Sequence, residues 1–153
     1  VDNSRGAGID SWMIDLGGQI MVQGTPPNVD YWSLSLAHPL KRTQPVMTID
    51  LREGSLATSG GSERDLGTGE ARVGHILDPK TGQAIQRNFA VTVWHPSALV
   101  ADVLSTALYV MGAEAGLQWA ETHDVAATFL ISEDGAEVEA RASRLFEELF
   151  LHE

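Results

Sequence analysis

The sequence has 153 residues, of which 43% are hydrophobic, a size and composition typical of one domain with a substantial core. Its 21 acidic and 10 basic side chains give a formal net charge of -11, which repels nucleic acid and anionic lipid, so we expect no nucleic-acid partner. The absence of cysteine excludes disulfides, thiolate metal ligands and cysteine nucleophiles within these residues. We therefore expect residues 1–153 to form a single domain.

The first half of the chain shows the alternating apolar pattern of antiparallel strands. Paired glycines, a Pro-Pro-Asn segment and an Arg-Glu-Gly segment separate these strands and are typical of turns. A polar, glycine-rich loop is predicted at 60–70. Strands are predicted at 11–18, 31–37, 46–51, 55–59, 73–77 and 89–94.

Helical patterns follow in the second half. Ser97 is positioned to cap a helix that Gly112 ends, and a second helix is predicted at 113–123. A strand is predicted at 125–132, and the segment 140–150 suits either a helix or an edge strand. Several strands followed by helices and another strand indicate an α+β fold, with an antiparallel sheet and helices packed on one face.

The predicted helix at 97–112 carries the clearest functional signal. It places Asp102, Ser105, Thr106 and Tyr109 at positions i, i+3, i+4 and i+7, on one face, while apolar side chains occupy the other faces. We therefore expect a buried helix with one polar face. Because an unpaired buried carboxylate costs several kcal/mol, Asp102 should meet a charged partner, a cation or a ligand.

Two interpretations of Asp102 and Thr106 remain open. One helical turn apart, their oxygens can converge on a hard cation such as Mg²⁺, with phosphate oxygens and water completing its coordination. In the alternative, Asp102 pairs with an arginine and Thr106 donates a hydrogen bond back to its own helical turn. The residue pattern alone does not decide between them.

Two further segments have both structural and functional interpretations. His75 ends a predicted strand, where an imidazole can transfer protons or contact a phosphate, and the segment 78–82 has the composition of a turn. The segment Thr58-Ser59-Gly60 offers hydroxyls and backbone N–H groups that can hold a phosphate or ribose, although such loops often serve only as connections.

These segments, in order and spacing, resemble the FAD:protein FMN transferase family, the ApbE-type group also labelled thiamine-biosynthesis lipoproteins. The resemblance extends from about Ile9 to Ile131. It is carried by ATSGGSER at 57–64, HILDPKTG at 75–82, VTVWHPSALVADVLSTALYVMG at 91–112 and WMIDLGGQI at 12–20, with Tyr31-Trp32 and His38-Pro39 between them.

The resemblance implies a T-fold-like half of a Mg²⁺-dependent enzyme that transfers FMN from FAD to a Thr or Ser hydroxyl of a target flavoprotein and releases AMP. The alternatives are an FAD pyrophosphatase and a non-catalytic module for FAD binding or protein interaction. The implied metal ligands are Asp102 and Thr106, the implied catalytic residue is His75, and the implied FAD-binding residues are Ile76, Thr58, Ser59, Gly60 and Ser105.

Family members are longer at the N-terminus, where a flavin-binding region and an Ala-x-x-Lys-Gly segment lie. Neither occurs here, so we expect the C-terminal portion of such an enzyme, with FAD and a target flavoprotein as partners. A second chain that supplies the missing half is a further expectation. The resemblance implies a periplasmic location or an inner-membrane anchor facing the periplasm, with membrane contact only through an N-terminal anchor absent from this sequence.

Overall fold

The computed structural model describes residues 9–61 and 75–151. Within these ranges the chain forms eight strands and three helices. In chain order they are β1 (Trp12–Asp15), β2 (Gln19–Gln23), β3 (Trp32–His38), β4 (Lys41–Leu51), β5 (Glu53–Gly60), β6 (Phe89–His95), α1 (Ala98–Met111), α2 (Ala113–Thr122), β7 (Ala126–Ile131), β8 (Glu139–Ala142) and α3 (Arg144–Phe150).

Six of these strands form one sheet in the order β1-β2-β5-β6-β7-β8, and every neighbouring pair is antiparallel. The remaining two strands, β3 and β4, form a separate antiparallel hairpin. The predicted α+β class with an antiparallel sheet is therefore confirmed. No helix in the described ranges has the length and apolar character needed to cross a bilayer.

The central strands β5, β6 and β7 are covered on both faces. Because side chains alternate along a strand, odd-numbered residues such as Val91 and Phe129 pack with α1 and α2, whereas even-numbered residues such as Leu56 and Leu130 pack with the β3–β4 hairpin and α3. The prediction of helices on one face describes α1 and α2, while α3 lies on the other face through Phe146.

The predicted helix at 97–112 is α1, and contacts from two strands hold its first turn. Ser97 is the extended N-cap residue, but its side chain makes no capping bond. Instead, the backbone N–H of Ser97 donates to His95 Nδ1 (2.9 Å), and the Gln19 side chain donates to the carbonyl of Ala98. Gly112 ends the helix with a φ of 95°, which glycine adopts without the strain of a Cβ.

Three elements differ from the sequence prediction. The pattern does not predict β2, and it predicts a strand at 73–77 where the described part, 75–77, contains only an isolated bridge between Leu77 and Ala84. The tail contains both alternatives in succession, β8 and then α3, with Ser143 between them as the N-cap that accepts from Phe146 N–H. Residues 62–70 of the predicted loop and residues 73–74 of the predicted strand lie outside the described residues.

Candidate functional site

A cavity of about 710 Å³, hereafter the large cavity, lies where the β1–β2 turn, the end of β5, the segment at 75–79 and one side of α1 meet. It has the volume of a small-molecule site. All predicted site residues except Ser105 line it. The lining residues are Leu16, Gly17, Gly18, Gln19, Arg42, Thr58, Ser59, Gly60, His75, Ile76, Leu77, Pro79, Asp102, Thr106 and Val110.

The polar face of α1 is divided between the large cavity and the sheet. Ser105 and Tyr109 are buried, with exposures of 0% and 1%, whereas Thr106 is half-buried and Asp102 is exposed. The expectation of a buried carboxylate is therefore wrong, because the sheet covers only the Ser105 side of the helix. Asp102 has no ion-pair partner among the described residues, so the arginine interpretation gains no support from them.

Hydroxyl groups join α1 to the end of β5. Ser59 Oγ lies 2.9 Å from Ser105 Oγ and 3.1 Å from Thr106 Oγ1. Ser105 and Thr106 both donate back to the carbonyl of Asp102, at 3.0 and 3.1 Å. Ser105 thus joins the helix to β5 rather than lining the large cavity, and the Thr106 hydroxyl contacts both Ser59 and the carbonyl of Asp102.

Backbone groups form the opposite wall at the β1–β2 turn. Gly17 and Gly18 have φ values of 72° and 99°, in the region that favours glycine. Gly17 N–H donates to Asp15 Oδ1 (2.8 Å), and the carbonyl of Gly18 accepts from Thr58 N–H (2.8 Å). The turn is therefore fixed to β5, and its backbone is exposed along the large cavity without side chains in the way.

The segment at 75–79 is held by the turn that follows it. Asp78 accepts from Lys80 N–H through its side chain and from Gly82 N–H through its carbonyl, each at 2.7 Å, so the predicted turn at 78–82 is confirmed. Ile85 N–H donates to the carbonyl of Ile76 (2.8 Å). These bonds place the exposed His75 and the half-buried Ile76 at the wall of the large cavity.

Asp102 and Thr106 offer hard oxygen ligands on one wall, but no group of three His, Cys, Asp or Glu side chains in the described ranges could hold a metal ion. Mg²⁺ commonly takes only one or two protein carboxylates and completes its octahedron with substrate phosphates and water. An exposed carboxylate beside a hydroxyl in a roomy cavity fits such a partial site. A closed, all-protein site does not fit these residues.

Arg42 also lines the large cavity, although no sequence pattern predicts it. It is the only lysine or arginine among the described residues that line the large cavity, and it comes from β4, a strand that lies outside the six-stranded sheet. No motif singles it out from the neighbouring Lys41, because only the packing of the hairpin brings it to the site.

The chain is similar to known proteins over most of its length. The ApbE family model matches residues 1–129. The chain is similar to the FAD:protein FMN transferases of Vibrio cholerae (31% identity over 135 residues, 87% of this chain and 40% of the relative) and Haemophilus influenzae (30% over 142 residues, 91% and 41%).

Solved structures share the fold of this chain. The apo form of the flavinyl transferase ApbE from Pseudomonas stutzeri superposes with a TM-score of 0.78 at 31% identity, covering 99% of this chain and 47% of that one. The Vibrio cholerae flavin transferase ApbE gives a TM-score of 0.78 at 30% identity, covering 97% and 47%. The chain thus spans less than half the length of these relatives. On the family-model match and the shared fold, this chain belongs to the ApbE family.

Proposed function

We propose that this chain carries the metal-binding part of an FAD:protein FMN transferase site, in which FMN passes from FAD to a Thr or Ser hydroxyl of a target flavoprotein and AMP is released. The observation that carries the proposal is the convergence of Asp102, Thr106, His75 and the Thr58-Ser59-Gly60 segment on the large cavity. The relatives named above, which are FAD:protein FMN transferases, support the same chemistry.

In the proposed reaction, the acceptor hydroxyl oxygen forms a bond to the FMN phosphorus, and the bond from that phosphorus to the oxygen of AMP breaks. Asp102 and Thr106 would hold Mg²⁺, whose charge would neutralise diphosphate oxygens and the negative charge that develops on AMP. His75 takes up the proton that the acceptor hydroxyl loses, a role for which an imidazole is suited near neutral pH.

The chain's own residues also support binding. The exposed backbone at Gly17 and Gly18 lets a ligand approach closely. The contacts of the Thr106 hydroxyl with Ser59 and with the carbonyl of Asp102 hold it at the wall of the large cavity, which Asp102 also lines. If water replaced the acceptor hydroxyl, the same arrangement would hydrolyse FAD to FMN and AMP. The two reactions differ in the acceptor and share the metal-binding residues.

The test compares the wild-type chain with Asp102→Asn and, as a matched control, Asp30→Asn, which changes an exposed aspartate that does not line the large cavity. Thermal unfolding is followed with FAD, with and without Mg²⁺. A bound ligand at about 100 times its Kd adds about 2.7 kcal/mol to the free energy of unfolding. We expect Mg²⁺ to increase the stabilisation by FAD in the wild type and in Asp30→Asn but not in Asp102→Asn.

AMP release in the presence of a Thr-containing acceptor protein then separates transfer from hydrolysis. Covalent flavin on the acceptor indicates transfer, and AMP with free FMN indicates hydrolysis. Equal Mg²⁺-dependent stabilisation of the wild type and Asp102→Asn would refute the assignment of the metal ligand. Absence of any FAD binding by the wild-type chain would refute the proposed function for this chain.

A further inference from the structure

We infer that Arg42 binds the diphosphate of the flavin nucleotide, and that it does so at the junction of two adjoining cavities. The inference rests on the proposed function, since it concerns the same ligand, but it adds a cationic residue that neither the sequence motifs nor the proposed metal site includes.

The position of Arg42 carries the inference. A second cavity of about 290 Å³, hereafter the small cavity, lies between the inner face of the β3–β4 hairpin and the even-numbered face of the sheet. Arg42 lines both cavities, as do Gly17, Gly18, Thr58 and Gly60. The two spaces therefore adjoin, and Arg42 stands on the wall that they share.

The charge of the site favours such a residue. The chain has a formal charge of -11, and the carboxylate of Asp102 faces the large cavity, so the protein repels an anionic ligand before any cation is bound. Among the described residues that line the two cavities, Arg42 is the only lysine or arginine. Arg42 is therefore the residue that brings a permanent positive charge to the described walls of the two cavities.

The local structure holds Arg42 in place. It lies at the start of β4, directly after the turn that begins at His38. His38 is fully buried, and its Nδ1 accepts a hydrogen bond from Leu40 N–H at 3.0 Å, while Pro39 in the same turn is also buried. The backbone of Arg42 is therefore held in place by β4 and by the anchored turn that precedes it.

The chemistry of the side chain fits a diphosphate. A guanidinium presents paired N–H donors whose geometry matches two phosphate oxygens, whereas an ammonium presents only a point charge. With Arg42 on one side and the proposed metal ligands Asp102 and Thr106 elsewhere on the large cavity, positive charge would reach the diphosphate from two directions. With its diphosphate at the junction, FAD could place the group on one side of the diphosphate in the large cavity and the group on the other side in the small cavity.

The experiment measures the affinity of the wild-type chain and of Arg42→Gln and Arg42→Lys for three flavins, by quenching of flavin fluorescence in the presence of Mg²⁺. Riboflavin carries no phosphate, FMN carries one and FAD carries two. Arg52→Gln is the matched control, because Arg52 is exposed, lies outside both cavities and donates through Nε to the carbonyl of Asp30. Circular dichroism confirms that each variant is folded.

We expect Arg42→Gln to weaken FAD binding about 10- to 100-fold, the usual effect of losing a charge-assisted hydrogen bond, and to change riboflavin binding by less than about twofold. Arg42→Lys should lie between the wild type and Arg42→Gln, and its FAD affinity should fall as salt is added. Arg52→Gln should bind all three flavins like the wild type.

Two results would overturn the inference alone: FAD binding that Arg42→Gln leaves unchanged, and equal losses for riboflavin and FAD, which would indicate a structural role. A wild-type chain that binds none of the three flavins would refute the proposed function itself. AMP and FMN used as competitors then identify which phosphate Arg42 contacts, since only the ligand that carries the contacted phosphate should lose affinity in Arg42→Gln.

Discussion

Replacement of Ser143 by alanine removes only one oxygen atom, but it should lower the free energy of unfolding substantially. Ser143 is buried between β8 and α3, and its hydroxyl donates to the carbonyl of Val125 at 2.7 Å. The same oxygen accepts from Ala127 N–H at 3.0 Å and from Phe146 N–H at 3.4 Å, so it joins β7 to the start of α3. Alanine removes all three bonds.

The expected loss follows from these contacts. Removal of an N-cap serine costs about 0.5–2 kcal/mol, and a buried backbone group left without its partner costs about 1–3 kcal/mol. Together they predict a decrease of about 2–4 kcal/mol in the free energy of unfolding. With a urea m-value of about 2 kcal/mol/M for a chain of this size, the midpoint of urea unfolding should fall by about 1–2 M.

Ser132 provides a matched control. It is also fully buried and follows β7, but its Oγ has no hydrogen-bond partner among the described residues. Ser132→Ala therefore removes no bond, and we expect the stability to stay within about 0.5 kcal/mol of the wild type or to increase. Urea unfolding followed by tryptophan fluorescence measures both variants. Equal midpoints for Ser143→Ala and Ser132→Ala would refute the reasoning from hydrogen bonds.

Three further predictions concern packing, the proposed metal site and pH. Gly116→Ala should destabilise the chain by about 1–3 kcal/mol in thermal unfolding, because a Cβ there would lie 3.0 Å from both the carbonyl oxygen of Leu108 and Phe129 Cζ; unchanged stability would contradict this packing argument. Ser59→Ala should cost about 1–2 kcal/mol in urea unfolding and weaken the Mg²⁺-dependent stabilisation by FAD, because α1 loses the hydroxyl contacts that join Ser105 and Thr106 to β5; stabilisation equal to that of the wild type would exclude a role of Ser59 at the proposed metal site. Hydrogen bonds from the backbone N–H groups of Ala136 and Glu137 lower the pKa of the Asp134 carboxyl in the folded chain below its value in the unfolded chain. The stability that Asp134 contributes is therefore present above about pH 4, and it is lost as the pH falls through the pKa of the folded state. An NMR titration that gave Asp134 an ordinary pKa would contradict this.

The central strands and the first two helices are the parts of the fold that were predicted most closely. The predicted strands at 55–59, 89–94 and 125–132 correspond to β5, β6 and β7, and the two predicted helices end within about one residue of α1 and α2. Their patterns are strong because both faces of the central sheet are covered. The strand β2 was missed because only Val22 among its five residues is buried, so its pattern is weak.

The site was predicted less completely. The spacing on α1 correctly grouped Asp102 with Thr106, but a helical pattern does not state which part of a polar face the sheet will cover. Asp102 is consequently exposed, while Ser105 is buried against Ser59. Arg42 could not be found from local pattern, because its place beside the large cavity depends on how the hairpin packs on the sheet.

The alternation of side chains along the central strands has a consequence for how this chain can change over evolution. Neighbouring positions such as Thr58 and Ser59 serve different sides of the sheet: Thr58 bonds to Thr92 at 2.8 Å, and Ser59 bonds to α1. A substitution at an odd-numbered position of these strands changes the packing against the helix that bears Asp102. A substitution at the next position changes the packing against the layer that bears Arg42. Substitutions on one face of the sheet can therefore be accommodated without repacking the layer on the other face.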